Sequence, residues 1–312
     1  MQDGKIPDVG YFRAVADDSP VGLRAAYGPK RGGCRAGGLT MTNSLEMATA
    51  THTGMVRSHN EDSVNVETDI GLAVLADGMG GYNAGEVASG MATALISDQT
   101  KQALMRLDLQ KTVEENGEPA ASALLHDVVA KANESIYQAA NSQPQYAGMG
   151  TTLVVGLFFD NKVTVAHIGD SRCYRLRDNK LEQITRDHSL LQEQIDSGLL
   201  TKEAARRSQN KNLVTRALGI EVGADLEVHV HEVQSGDVYL MCSDGLNDMV
   251  EDEDIELAVS SLSSNLPLAA SQLVQMANDA GGRDNVSVVL IKIKKDFPAA
   301  DGWVSKVRSW FI

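Results

Sequence analysis

Gly71-Leu72-Ala73-Val74-Leu75-Ala76-Asp77-Gly78-Met79-Gly80-Gly81 says more about the fold of this chain than any other stretch. The apolar run before Asp77 has the pattern of a buried strand. It ends in a carboxylate followed by glycine. A strand-terminal Asp can share its two oxygens between two cations. The next residue, Gly78, lets its own carbonyl approach an ion with no side chain in the way. Gly80-Gly81 then lets the chain turn into the helix that the spacing predicts from about residue 85. A bare Asp-Gly is most often a turn; the pair placed at the end of a buried strand is far more specific.

Three other acidic motifs share this setting: Asn60-Glu61-Asp62, Ser243-Asp244-Gly245 and Gly281-Gly282-Arg283-Asp284-Asn285. Asp244 and Asp284 adjoin the apolar stretches 238–242 and 286–291, and Gly169-Asp170-Ser171-Arg172 lies between the motifs. Taken singly, each Asp would serve as a helix cap. Gathered in one place, the carboxylates would repel one another unless a cation neutralised them. Oxygen-only donors select hard cations, Mg2+ or Mn2+. The combination predicts a two-metal hydrolase, in which paired ions about 3.5–4 Å apart orient a shared water for in-line attack. Arg57 precedes Glu61 and Asp62, and its guanidinium fork suits two phosphate oxygens. His59, His167 and His188 adjoin the motifs; each could act as a general acid, but a structural role is the expectation.

Outward from the motifs, the spacing predicts helices over 85–105, 119–141, 252–263 and 266–280. It predicts strands over 151–159, 162–168 and 171–177, with Asp160-Asn161 as a hairpin turn. A second strand pair is expected at 225–233 and 237–243, joined through Ser235-Gly236, and a last strand at 285–294. Strands and helices come in separate runs, so the expected class is α+β, a layered sandwich of antiparallel sheets with helices outside. The polar segment 187–222 interrupts the β pattern and reads either as a substrate-facing flap or as a plain surface insertion.

The 312 residues suffice for a full core. A net charge of -14 argues against a nucleic-acid binder, which needs a basic surface. The three cysteines, Cys34, Cys173 and Cys242, are odd in number and widely spaced, so neither a disulfide framework nor a zinc ribbon is expected. None is followed six positions later by Arg, which excludes a cysteine-phosphatase loop. The expected compartment is the cytoplasm, with no membrane span.

The motifs together resemble the metal-dependent protein phosphatases of the PPM type, the protein phosphatase 2C family, in its bacterial form. The resemblance runs from about Leu45 to Lys294. Besides the motifs above it rests on Gly54-Met55-Val56-Arg57-Ser58-His59, Gly148-Met149-Gly150-Thr151-Thr152, His167-Ile168-Gly169-Asp170-Ser171-Arg172 and Asp187-His188-Ser189. It implies a four-layer αββα sandwich with metals at one edge of two sheets. It places Asp77, Asp244 and Asp284 on one Mn2+ or Mg2+, and Glu61, Asp77 and the Gly78 carbonyl on the other. Asp170, with Asp244, would support a third, weaker ion; Asp62 would stand behind the ligands; Arg57 would hold substrate phosphate; and 187–222 would be the flap. The implied substrates are phosphoserine and phosphothreonine proteins, with a bacterial Ser/Thr kinase as the opposing partner and a monomer as the working unit. Two departures are visible: His52 stands where many members carry Asp, and Met79 where animal members carry His, which removes one candidate acid. Competing readings are an inactive sensory module and a phosphatase of an anti-sigma-factor antagonist.

The ends lie outside the resemblance. Residues 1–44 read as a disordered or mis-assigned N-terminal extension, rich in glycine and without periodicity. Residues 296–312 read as a linker and an amphipathic tail, with Trp303, Val304, Val307, Trp310 and Phe311 on one helical face. That stripe would pack on the catalytic domain or dock on a partner or an anionic membrane surface.

Overall fold

A computed structural model describes residues 41–81, 83–110, 117–201, 204 and 213–299. The readings of the first 40 residues and of the Trp-rich tail fall outside the described residues. Met41–Asn43 form a 3-10 turn, and Met41 is buried in the core together with Phe297.

Two antiparallel sheets carry the fold. The strands are β1 (Leu45–His52), β2 (Asp62–Glu67), β3 (Leu72–Met79), β4 (Gly150–Thr151), β5 (Leu153–Phe159), β6 (Lys162–Ile168), β7 (Arg172–Arg177), β8 (Lys180–Gln183), β9 (Glu227–Glu232), β10 (Val238–Cys242) and β11 (Val286–Ile293). One sheet has the order β1-β11-β10-β7-β8; the other has β2-β3-β5-β6-β9, with β4 added beside β3. The helices are α1 (Ala84–Leu104), α2 (Ala120–Ser142), α3 (Leu190–Asp196), α4 (Asp244–Asn247), α5 (Asp252–Leu262) and α6 (Leu266–Asp279).

The period-2 alternation of a strand explains the layers. In β3, Leu72, Val74 and Ala76 face the core shared with α1 and α2, while Ala73 and Leu75 face the other sheet. In β5, Leu153, Val155 and Leu157 point to the helices, while Val154 and Phe158 point inward. In the second sheet, Val286, Val288 and Leu290 of β11 meet α5 and α6, while Val289, Ile291 and Ile293 meet the first sheet. Three apolar layers therefore separate four layers of structure, αββα. Buried on both faces, these strands read as continuous apolar runs and not as alternating ones. Gly156 of β5 leaves room for an inward methionine of the opposite sheet: a Cβ there would lie 2.5 Å from Met241 Cε.

Asp160-Asn161 forms the expected hairpin turn, with both residues at positive φ (51° and 54°). Asp178-Asn179 makes the same turn between β7 and β8, at φ 52° and 60°, and the short strand β8 was not expected from the sequence. The predicted pairing of 225–233 with 237–243 is corrected by the structure. β9 is an edge strand beside β6, whereas β10 lies between β11 and β7 in the other sheet. The Ser235-Gly236 link is a crossover between sheets, tied down by Gly236 N–H donating to Ile293 O at 2.8 Å and by the Arg177–Asp237 ion pair. Among the described residues no helix is long and apolar enough to cross a membrane.

Candidate metal centre

The acidic motifs converge because the strands that carry them end at the same edge of the sandwich. Asp62 opens β2 and lies directly opposite Asp77 near the end of β3. Asp244 opens α4 just after β10, and Asp284 stands just before β11. Asp170 follows β6 at the start of the turn into β7.

Neutral residues hold this edge in shape. Asn285 is almost fully buried and ties three segments together. Its Oδ1 accepts from Glu61 N–H at 2.8 Å, and its Nδ2 donates to Thr53 O at 2.9 Å and His59 O at 2.8 Å. Ser243 bridges the two sheets: its hydroxyl donates to Asp62 Oδ2 at 2.8 Å and accepts from Ser287 N–H at 2.9 Å. The Glu61 carboxylate lies against the start of α1, where a Cβ on Gly85 would meet Glu61 Oε2 at 2.7 Å. Gly78 N–H donates to Glu61 O at 3.1 Å, and any side chain on Gly78 would strike the Gly85 carbonyl. Because Asn285 satisfies one donor and two carbonyls in a buried setting, Asn285→Ala is expected to cost about 2–4 kcal/mol. A urea-unfolding midpoint lowered to match would check this, and an unchanged midpoint would remove Asn285 from its linking role.

The electrostatics are those of a site that wants cations. Burial, then repulsion from Asp62, Asp244, Asp170 and Asp284, holds the Asp77 carboxyl well above the usual range. Asp244 is raised likewise, by burial and by Asp170, Asp248 and Asp284. Burial pushes Asp62 up to about 6 although the Ser243 hydroxyl favours its charge. Burial and Asp187 push Asp170 up to about 7. Asp62 Oδ1 is buried without a hydrogen-bond partner. Partly buried carboxylates that repel one another and leave one buried oxygen orphaned fit hard divalent cations, and all the donors are oxygens.

Arg57 sits at the rim with its side chain 53% exposed and pairs with Asp284, Nη2 to Oδ2, at 2.7 Å. Beside Asp170 and Asp244 opens a cleft of about 170 Å³ lined also by Arg172, Asp187, Asp248 and Asp252. Leu191, Gln192 and Ile195 of α3 form one wall of it, so part of the predicted flap does face the acidic edge. Arg172 is locked there by Asp187, with Nη2 to Oδ2 at 2.7 Å. His167 and His188 are buried and stacked on one another, ring centroids 4.8 Å apart, and their hydrogen bonds tie backbone segments together. Cys173 and Cys242 are buried free thiols. The sequence reading assigned no role to Asn285, Ser243, Thr152 or Gly85. Their signal was adjacency: each lies within a few residues of a candidate ligand or in a motif that accompanies one.

A two-sheet sandwich with a carboxylate cluster at one edge defines a class, and comparison with known proteins identifies it. Residues 52–280 match the family model for protein phosphatase 2C. The chain belongs to the protein phosphatase 2C family. It is 38% identical over 245 residues to the serine/threonine phosphatase Stp of Listeria welshimeri, covering 78% of this chain and 93% of that one. It is 40% identical over 256 residues to the serine/threonine protein phosphatase PstP of Mycobacterium tuberculosis, covering 81% of this chain but only 46% of PstP. A crystal structure of the Mycobacterium tuberculosis phosphatase superposes with a TM-score of 0.71 at 36% identity, covering 80% of this chain and 99% of that one. A structure of the PstP catalytic domain in complex with two manganese ions superposes with a TM-score of 0.68 at 38% identity, covering 80% and 98%.

Proposed function

We propose that this chain hydrolyses phosphoserine and phosphothreonine on proteins at a binuclear Mn2+ or Mg2+ centre. The observation that supports this best is the set of partly buried, mutually repelling carboxylates at one sheet edge, with an exposed arginine at the rim. Asp77, Asp244 and Asp284 would hold one ion, Glu61, Asp77 and the Gly78 carbonyl the other, and Asp170 with Asp244 a third, weaker one. When bound, the paired ions supply a deprotonated bridging water as nucleophile, so no protein nucleophile is needed.

The chain's own residues position the substrate. Arg57 exchanges its Asp284 carboxylate for substrate phosphate, which offers the same planar pair of oxygens. Asp62 stands behind Asp77 and, through Ser243, fixes one sheet against the other at the ligands. The α3 wall of the cleft receives the peptide that carries the phosphoresidue. An opposing Ser/Thr kinase, a cytoplasmic setting and a monomeric working unit complete the reading. The free buried thiols are in keeping with a reducing compartment. Phosphopeptide hydrolysis that needs added Mn2+ or Mg2+ and stops with EDTA is the expected result; activity undiminished in EDTA would overturn the reading. Arg57→Ala is expected to raise KM for phosphopeptides about 10-fold or more with a smaller change in kcat, the signature of uniform phosphate binding. Steady-state kinetics on one phosphopeptide decide it; a lost kcat at constant KM would place Arg57 in transition-state stabilisation instead.

A further inference from the structure

His188 stands outside the carboxylate cluster, yet it touches the turn that carries Asp170 twice. Its backbone N–H donates to Gly169 O at 2.9 Å, and its ring Nδ1 accepts from Gly169 N–H at 3.2 Å. Its own carbonyl accepts from Thr215 N–H at 2.8 Å, on the returning strand of the flap, where Ser189 pairs with Val214. Gly169 in turn leans on Thr152: at φ 104° it has no room for a Cβ, which would lie 2.6 Å from Thr152 Cβ. Thr152 completes the path, since its N–H donates to Asp77 O at 2.9 Å and its Oγ1 accepts from Asp77 N–H at 3.2 Å. A continuous line of contacts thus runs from Asp77 through Thr152 and Gly169 to His188 and the flap.

On its far side the ring is packed without a hydrogen bond, its Nε2 having no partner within bonding geometry. His188 Nε2 lies 3.4 Å from Glu227 Oε1, on β9, and the ring stacks on His167. His229, Arg216 and Asp225 stand around Glu227. Burial, and then Arg216, keep His188 below the usual histidine range against the pull of Glu227, so its Nδ1 retains the lone pair that Gly169 needs. The donor atoms of His167, His188 and Glu227 lie within 4.8 Å of one another, a spacing that would admit a cation. The protons oppose that use. His188 Nδ1 accepts from an amide, so Nε2 carries the hydrogen, whereas a ligating histidine donates from its other nitrogen. His167 does not share that conflict: its Nε2 donates to the Arg186 carbonyl at 2.9 Å and its Nδ1 keeps a lone pair, so the obstacle lies at His188.

We propose that His188 is a positioning residue for the phosphatase reaction, tying the flap to the Gly169–Asp170 turn so that the cleft wall and the Asp170 carboxylate move as one unit. This rests on the reading of the cleft as the peptide site. Loss of the ring acceptor frees the Gly169 amide and lets the flap base shift relative to Asp170. Hydrolysis of a phosphopeptide, which must contact the flap, then suffers, while a small aryl phosphate, which need not, is spared.

The test uses the full chain and two readouts. In metal-free protein, His188→Leu is expected to speed hydrogen exchange of the Gly169 amide about 5- to 10-fold, the worth of one hydrogen bond. His188→Asn, whose Oδ1 can take the place of Nδ1, is expected to restore the slow rate. In metal-loaded protein, the ratio of phosphopeptide to aryl-phosphate kcat/KM is expected to fall about 10-fold in the Leu variant and to recover in the Asn variant. Glu227→Ala, at a partly exposed edge-strand position, gives the same changes at smaller size and serves if the Leu variant does not fold. Unchanged Gly169 exchange in a folded Leu or Glu227→Ala variant overturns the proposal. Faster exchange with an unchanged substrate ratio overturns it too, since the bond would then be purely structural. If the wild-type chain cleaves no phosphopeptide, the functional reading has failed, and the exchange readout still decides whether His188 couples the flap to Gly169.

Discussion

Asp244→Asn is expected to lower phosphopeptide kcat/KM by about 1,000-fold or more and, in the same protein stripped of metal, to raise the melting temperature. The first effect follows from charge count: a hard-cation site weakens with each carboxylate lost, and the ions' share of transition-state stabilisation is several kcal/mol. The second follows from what the carboxylate experiences without cations. Asp244 is partly buried and repelled by Asp170, Asp248 and Asp284, so the neutral amide removes an unfavourable charge and keeps the shape. Relief of about 1–3 kcal/mol corresponds to several degrees. Asp77→Asn is expected to behave alike, because its burden has the same origin. Differential scanning of EDTA-treated and Mn2+-loaded samples beside the kinetics is the check. A variant that loses activity and is also less stable without metal would show that Asp244 is held by protein partners and not by cations.

Metal-free protein is expected to become less stable as the pH rises from about 4 to about 7, and metal-loaded protein to lose that trend. Asp62 and Asp170 have folded-state values raised to about 6 and about 7, above their ordinary value of 3.8. For an acid raised on folding, the stabilising contribution is complete below the unfolded value and is lost as pH rises through the folded one. The window therefore runs from about 4 to about 7, and the loss amounts to a few kcal/mol. Bound cations favour the ionised carboxylates and cancel the effect. Urea midpoints across that range, with and without Mn2+, test it; a flat metal-free profile would mean that these carboxylates are solvated.

The layers were legible in the sequence where strands are buried on both faces. Leu72–Ala76 and Val286–Ile291 can only be central strands, and each leads directly to or from a carboxylate. The helices were legible from spacing, and the Asp160-Asn161 turn from its residue types. What misled was proximity. Glu227–Glu232 and Val238–Cys242 are close in sequence and separated by Ser-Gly, the signature of a hairpin, yet they belong to different sheets. Their unequal burial held the clue: β9 is half exposed throughout, while every residue of β10 is buried. A fully buried strand needs neighbours on both sides, and β10 finds them in β7 and β11. At the acidic edge, the charged candidates announced themselves by type. The residues that place them did not, because Asn285, Ser243 and Thr152 work largely through backbone amides and carbonyls that sequence does not display.

β11 is both a late strand and a central one. It lies between β1, from the opposite end of the folded region, and β10, and it immediately follows Asp284 and Asn285. During synthesis β1 emerges early and has no neighbour in its sheet until β11 is made. A polypeptide interrupted before residue 284 would have an unclosed second sheet, a Glu61 loop without its anchor and, on the proposed ligand set, a cation site short of Asp284. The order of strands thus makes the proposed site contingent on synthesis through β11, so a fragment that stops earlier is expected to be silent.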